Sequence, residues 1–146
     1  MRCIILWVAG MLLTTAVVAS EQAVPLDQSA GGTLYLEATL ESAVTASFLL
    51  DTGSGLLTLN KATFEALTKG RKLKQTGKSA ARLANGKILT VSQYQLSSIR
   101  IGQACELGPV EVAVMPGGNN ILGINTLLKA APMTITAESV TLSGCR

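Results

Sequence analysis

Apolar and polar residues alternate over residues 33–40, with Leu34, Leu36, Ala38 and Leu40 on one face and Thr33, Tyr35, Glu37 and Thr39 on the other. A period of two predicts a strand with one buried face. Glu41-Ser42-Ala43 makes the turn, and residues 44–50 return as a second strand whose last part, Phe48-Leu49-Leu50, is wholly apolar before the acid Asp51. Residues 56–59 read as a short buried strand. Asn60 then suits a helix N-cap, with residues 61–69 helical and Gly70 as the stop.

Further along, residues 79–83 and 87–96 flank Ala84-Asn85-Gly86. Asn-Gly between two strands is the strongest short-range signal for a tight primed turn, so this stretch predicts a long hairpin. Residues 99–101 and 110–115 are two more strands, with Gly108-Pro109 in the turn between them, and 116–120 is a loop. Ile121-Leu122-Gly123 ends a buried strand, residues 125–129 form a short helix, and 134–136 with 140–142 make a last pair of strands. The expected class is mostly β with one or two short helices. Residues 21–32, with Pro25, Ser29, Gly31 and Gly32, read as a flexible N-terminal segment ahead of a single domain over 33–146.

The first 20 residues carry one basic residue, Arg2, then an apolar run over 4–18, then small residues at Ala19 and Ser20. This is the layout of a secretory signal peptide, and cleavage after either Ala19 or Ser20 satisfies the small-residue rule. An uncleaved membrane anchor is the other reading. The run falls short of the roughly 20 apolar residues that span a bilayer, which favours cleavage and leaves no stable membrane insertion afterwards. Export to a bacterial periplasm is expected, with secretion the variant.

Loss of residues 1–20 leaves 11 Lys and Arg against 9 Asp and Glu. That balance argues against a nucleic-acid partner. Lys69, Arg71, Lys72 and Lys74 are one local excess, read as a solvated loop. Two cysteines also remain, Cys105 and Cys145. An even pair in an exported chain points to a disulfide, the alternative being two buried thiols. The chain has no histidine, which rules out Ser-His-Asp and Cys-His catalysis within it and disfavours a zinc enzyme. No metal and no cofactor is expected.

The stretch Phe48-Leu49-Leu50-Asp51-Thr52-Gly53-Ser54-Gly55 resembles the active-site motif of the aspartic peptidases, and Ile121-Leu122-Gly123 resembles the hydrophobic-hydrophobic-glycine signature that follows it. With Asn-Gly between them, the order matches the single-lobe, retropepsin-like branch. The resemblance implies a closed β-barrel of the acid-protease half-lobe type and an endopeptidase acting on peptide or protein substrates. It makes Asp51 the catalytic acid. Thr52 would brace the partner subunit's loop, Gly53 would allow close approach, and Ser54 would donate to the Asp51 carboxylate. Gly123, with Ile121 and Leu122, would pack beneath the acid loop. Ala84, Asn85 and Gly86 would form the tip of a flap over the substrate.

Carboxylate catalysis of peptide hydrolysis needs two acids sharing a proton. After residue 20 the chain has two aspartates, Asp27 and Asp51, and Asp27 falls in the lead-in. The expectation is therefore a homodimer in which Asp51 meets its own copy on a two-fold axis. A non-catalytic retropepsin-like dimer that binds a peptide or partner in the cell envelope is the alternative, and an exported β-domain without a site is a third.

Overall fold

A computed structural model describes residues 21–145. The signal-peptide reading concerns residues 1–20 and lies outside the described residues. In chain order the strands are β1 (Gln22–Pro25), β2 (Asp27–Gln28), β3 (Leu34–Leu40), β4 (Val44–Asp51) and β5 (Leu57–Asn60), followed by helix α1 (Lys61–Thr68). Then come β6 (Lys74–Arg82), β7 (Ile88–Leu96), β8 (Ile99–Ile101), β9 (Cys105–Leu107), β10 (Val110–Met115) and β11 (Asn120–Gly123). Helix α2 (Ile124–Leu127) runs into a 3-10 turn (Leu128–Ala130), and β12 (Met133–Ile135) and β13 (Ser139–Leu142) close the chain. The mostly-β expectation with short helices is met.

Ten strands form one sheet in the order β6-β7-β10-β5-β11-β4-β3-β8-β9, with β2 added on β3; the other sheet is β1-β13-β12. Most neighbours are antiparallel, but β4 with β11 and β5 with β10 run parallel. These two parallel pairs lie next to each other at the centre, joined where β5 meets β11 antiparallel, and the first puts the ends of β4 and β11 side by side. The inward residues of β3 and β4, among them Leu36, Ala38, Leu40 and Phe48, meet Leu57, Leu59, Leu96, Ile99, Ile101 and Leu122 in one buried cluster. Truncating a buried Phe of this kind costs about 3–5 kcal/mol.

The lead-in is not a flexible segment. β1 pairs with β13, β2 pairs with β3, and Val24 and Leu26 are 3% and 8% exposed in the core. Two apolar residues spaced by two sufficed, because the C-terminal strand supplies the partner. Pro25 is tolerated because β1 lies at a sheet edge, where its missing N–H faces no neighbour. The domain accordingly takes in the lead-in as well as residues 33–145.

The two hairpin turns invert the expectation. Glu41 and Ser42 take φ of 50° and 52°, and Ala43 N donates to Leu40 O at 2.9 Å, so a primed turn sits there, within the three residues between Leu40 and its partner Val44. The left-handed conformation costs a non-glycine residue about 1–2 kcal/mol. Glu41 offsets this through its carboxylate, which accepts from the Ser97 N–H and from Ser97 Oγ and lies 3.9 Å from Arg71. At the predicted Asn-Gly turn, Gly86 N donates to Leu83 O and Leu83 N to Lys87 O, and only Gly86 has positive φ. That is a three-residue loop with glycine in the bulge position, not a two-residue primed turn.

Helix α1 starts where Asn60 accepts from Thr63 N at 2.8 Å, and Gly70 with φ 78° ends the segment. Phe64 on this helix stacks against Tyr94 of β7 with ring centroids 4.6 Å apart, which fixes the base of the β6–β7 hairpin. Cys105 and Cys145 form a disulfide, both buried, tying the end of the chain to β9. Closing a loop across 40 residues contributes about 4 kcal/mol through the unfolded state. No helix among the described residues is long and apolar enough to cross a membrane.

Candidate active site

The site is assembled by the parallel pairing of β4 with β11, in register Leu49 to Ile121, Leu50 to Leu122 and Asp51 to Gly123. Each sequence motif therefore terminates against the other. β4 delivers Asp51 from a buried strand to the sheet end, where the chain must leave the sheet at once. It does so in a tight turn, with Ser54 N donating to Asp51 O at 3.3 Å. Gly53 N donates to Asp51 Oδ1 at 2.9 Å, which orients one carboxylate oxygen and leaves the other unclaimed by the loop.

Gly123 lets this loop lie flat on β11. A Cβ there would overlap the Leu56 carbonyl oxygen and stand 2.8 Å from the Ser54 carbonyl oxygen, both backbone atoms that cannot swing aside. Immediately beyond it, the first N–H groups of α2, which have no partner inside the helix, are used to hold the loop. Ile124 N donates to Ser54 O at 2.8 Å and Asn125 N to Gly55 O at 3.1 Å. Asp51 is half-buried, Thr52 and Gly53 are exposed, and Ser54 is half-buried.

Ser54 departs from the expectation. Its hydroxyl faces Leu56 O at 3.5 Å rather than the Asp51 carboxylate, whose donor from the loop is the backbone N–H of Gly53. The Thr52 hydroxyl makes no hydrogen bond among the described residues, and Thr52 lies on the exposed part of the loop. Ile121 and Leu122 lie under the loop as half-buried and buried residues.

Asp27 stands apart from Asp51. It pairs with Tyr35, which pairs with Leu49, so it lies two strands away, about 10 Å across the sheet, and about 7 Å back along it. The turn residues Ala84, Asn85 and Gly86 are exposed at the end of the β6–β7 hairpin, and three strands separate β7 from β4 in the sheet. No hydrogen bond among the described residues joins that turn to the acid loop.

One supporting residue escaped the sequence reading. Asn120 is 5% exposed; its Oδ1 accepts from Asn60 N at 2.9 Å and its Nδ2 donates to Ser47 O at 3.1 Å. It therefore ties β4, β5 and β11 together just upstream of the acid loop. An Asn-Asn pair after Gly-Gly reads as loop, and nothing in its spacing marks one amide as buried.

Residues 36–126 match the family model described as aspartyl protease, a span that includes Asp51, the hairpin and Gly123. The chain belongs to the aspartyl protease family. Among solved structures, this aspartyl protease family member is similar to the crystal structure of a retropepsin-like aspartic protease from Rickettsia conorii. The TM-score is 0.61 at 22% identity, over 84% of this chain and 90% of that one. The fold is thus retropepsin-like. No curated protein matches the chain.

Proposed function

We propose that this aspartyl protease family member is an exported endopeptidase whose catalytic dyad forms when Asp51 of one subunit meets Asp51 of a second copy. The observation that carries the reading is the acid loop itself: a carboxylate at a strand end, held by one backbone N–H, beside an exposed Thr52 and Gly53. A single carboxylate cannot serve as both general base and general acid in one step. Two in contact share a proton, because like charges at that distance do not both ionise. The charged member takes a proton from the attacking water while the protonated one polarises the peptide carbonyl.

In this reading Thr52 reaches the partner's loop, and Gly53 keeps the approach open to backbone and substrate. Ser54 supports the turn rather than the carboxylate. The Ala84-Asn85-Gly86 tip serves as a flap that excludes water from the reacting bond. Export is supported by the leader-like residues 1–20 and by the Cys105–Cys145 disulfide, a bond that persists in oxidising compartments.

The test is cleavage of a diverse peptide pool by the chain and by Asp51→Asn. The expected outcome is cleavage by the first and a loss of about a thousandfold or more in the second, with its thermal unfolding unchanged. A folded dimer of the unaltered chain that cuts nothing in the pool would replace the peptidase reading with that of a peptide-binding module.

A further inference from the structure

Charge is divided between two parts of the molecule. Residues 69–96, which form the β6–β7 arm and its approach, hold seven basic residues and no acidic one: Lys69, Arg71, Lys72, Lys74, Lys78, Arg82 and Lys87. The rest of the described chain holds three basic residues against nine acidic ones. A near-neutral total thus conceals a strongly cationic arm on an anionic body. All seven are exposed, and among the described residues only Arg71 has an acidic partner, Glu41 at 3.9 Å. The other carboxylate placed against the arm, Glu111, accepts from Thr76 Oγ1 at 2.6 Å.

The arm also carries an open edge. β6 is the terminal strand of the ten-stranded sheet, paired with β7 on one side only. Lys78, Ala80 and Arg82 are exposed on one face of β6, whereas Ser79 and Ala81 are half-buried on the other. Lys78 and Arg82 therefore stand on the same face, four residues or about 13 Å apart along the strand. Such lysines keep a second cationic edge from pairing. The same charges favour an anionic strand.

We infer that the β6–β7 arm docks an acidic, extended segment of polypeptide as an added strand on β6, with Lys78 and Arg82 reading carboxylates four residues apart. That the docked chain is a substrate of the Asp51 site rests on the peptidase reading above; the docking does not. The unpaired backbone row selects polypeptide over other anions, since a strand-shaped ligand satisfies it and a phosphate does not. Single-stranded nucleic acid would need stacking platforms, and the arm's one aromatic, Tyr94, is engaged with Phe64. A membrane would favour several protruding apolar groups, and Ile88, 56% exposed, is the one large example on the arm.

Binding is measured by fluorescence anisotropy on the full chain carrying Asp51→Asn, with a labelled peptide bearing Glu at every fourth position and its Gln counterpart. The Glu peptide is expected to bind about tenfold tighter or more at low ionic strength, with most of that preference lost at high salt. Lys78→Glu with Arg82→Glu reduces Glu-peptide affinity about tenfold, the milder Lys78→Gln with Arg82→Gln by less, and Lys129→Glu, off the arm, by no more than about twofold. N-methylation of alternate amides in the Glu peptide weakens binding in one register, as strand addition requires.

Equal affinity for the Glu and Gln peptides, or no loss on charge reversal with an unchanged thermal melt, overturns the docking surface. So does retention on vesicles of anionic phospholipid without Glu-peptide binding, which assigns the arm to a membrane. Cleavage of neutral peptides by the unaltered chain is scored separately. Binding without cleavage removes the peptidase reading and leaves the docking surface; cleavage without binding does the reverse.

Discussion

The acid loop and the hairpin tip are both short glycine-bearing turns at strand ends, yet they are held in opposite ways. The loop at 51–55 is fastened by groups remote in sequence, the first N–H groups of α2 and the flat seat of Gly123. The tip at 83–87 is fastened only by its own residues, through Leu83 to Lys87 and Gly86 to Leu83 bonds and the Asn85 side chain accepting from Lys87 N at 3.0 Å. Cross-bracing by distant elements makes a position rigid, whereas local bonds alone permit opening at low cost. A group that must hold a reacting carboxylate belongs in the first setting. The cover that we propose at 84–86 belongs in the second.

That contrast is open to attack by substitution. Gly123→Ala drives a methyl into the Leu56 carbonyl, and it is expected to cost roughly 3–5 kcal/mol, a large part of a small domain's stability. Urea unfolding measures it, and a loss under 1 kcal/mol would show that the loop is not seated as described. Asn120→Ala orphans Asn60 N and Ser47 O, partners that no other side chain replaces. A loss of about 2 kcal/mol is expected, together with faster amide exchange at the end of β4.

Gly86→Ala probes the locally fastened tip. Nothing lies within 4 Å of the added methyl, so the cost is only that of φ 82°, about 1 kcal/mol. Hydrogen exchange should quicken in β6 and β7 near the turn and stay unchanged at Asp51 and Gly123. Equal changes at both places would mean that the tip and the acid loop form one cooperative unit.

The two regions also differed in how legible they were. The run from Phe48 to Asp51 declares itself, because unbroken apolar residues ending at Asp-Thr-Gly admit few structures besides a buried strand delivering an acid. Asn85-Gly86 marked a turn, but not its type, since a glycine serves as well in a bulge position as in a primed pair. The primed turn fell at Glu41-Ser42, where no local preference asks for it. Its cause is the anchorage of Glu41 on Ser97, which is 56 residues distant. Likewise β1 exists because β13 is there to pair with it, and β9 is three residues set by β8 and the Cys105 disulfide.

Among the site residues, the backbone logic of Gly123 was legible and the hydrogen-bond partner of Ser54 was not. A glycine in a seat has one reason to be there, whereas a hydroxyl has several acceptors within reach, and the fold chooses among them. Asn120 belongs with Ser54. Burial of an amide is decided by three strands converging on it, which no short window of sequence contains.

In the proposed dimer, each active site takes one Asp51 from each of two chains. Refolding the unaltered chain together with an equal amount of Asp51→Asn gives a random mixture of dimers, and its activity is compared with that of the unaltered chain alone at the same total protein concentration. A shared dyad predicts about a quarter of the original activity, because only dimers with two intact chains are competent. A residual activity of about half, proportional to the intact chains present, would contradict it and make each chain self-sufficient.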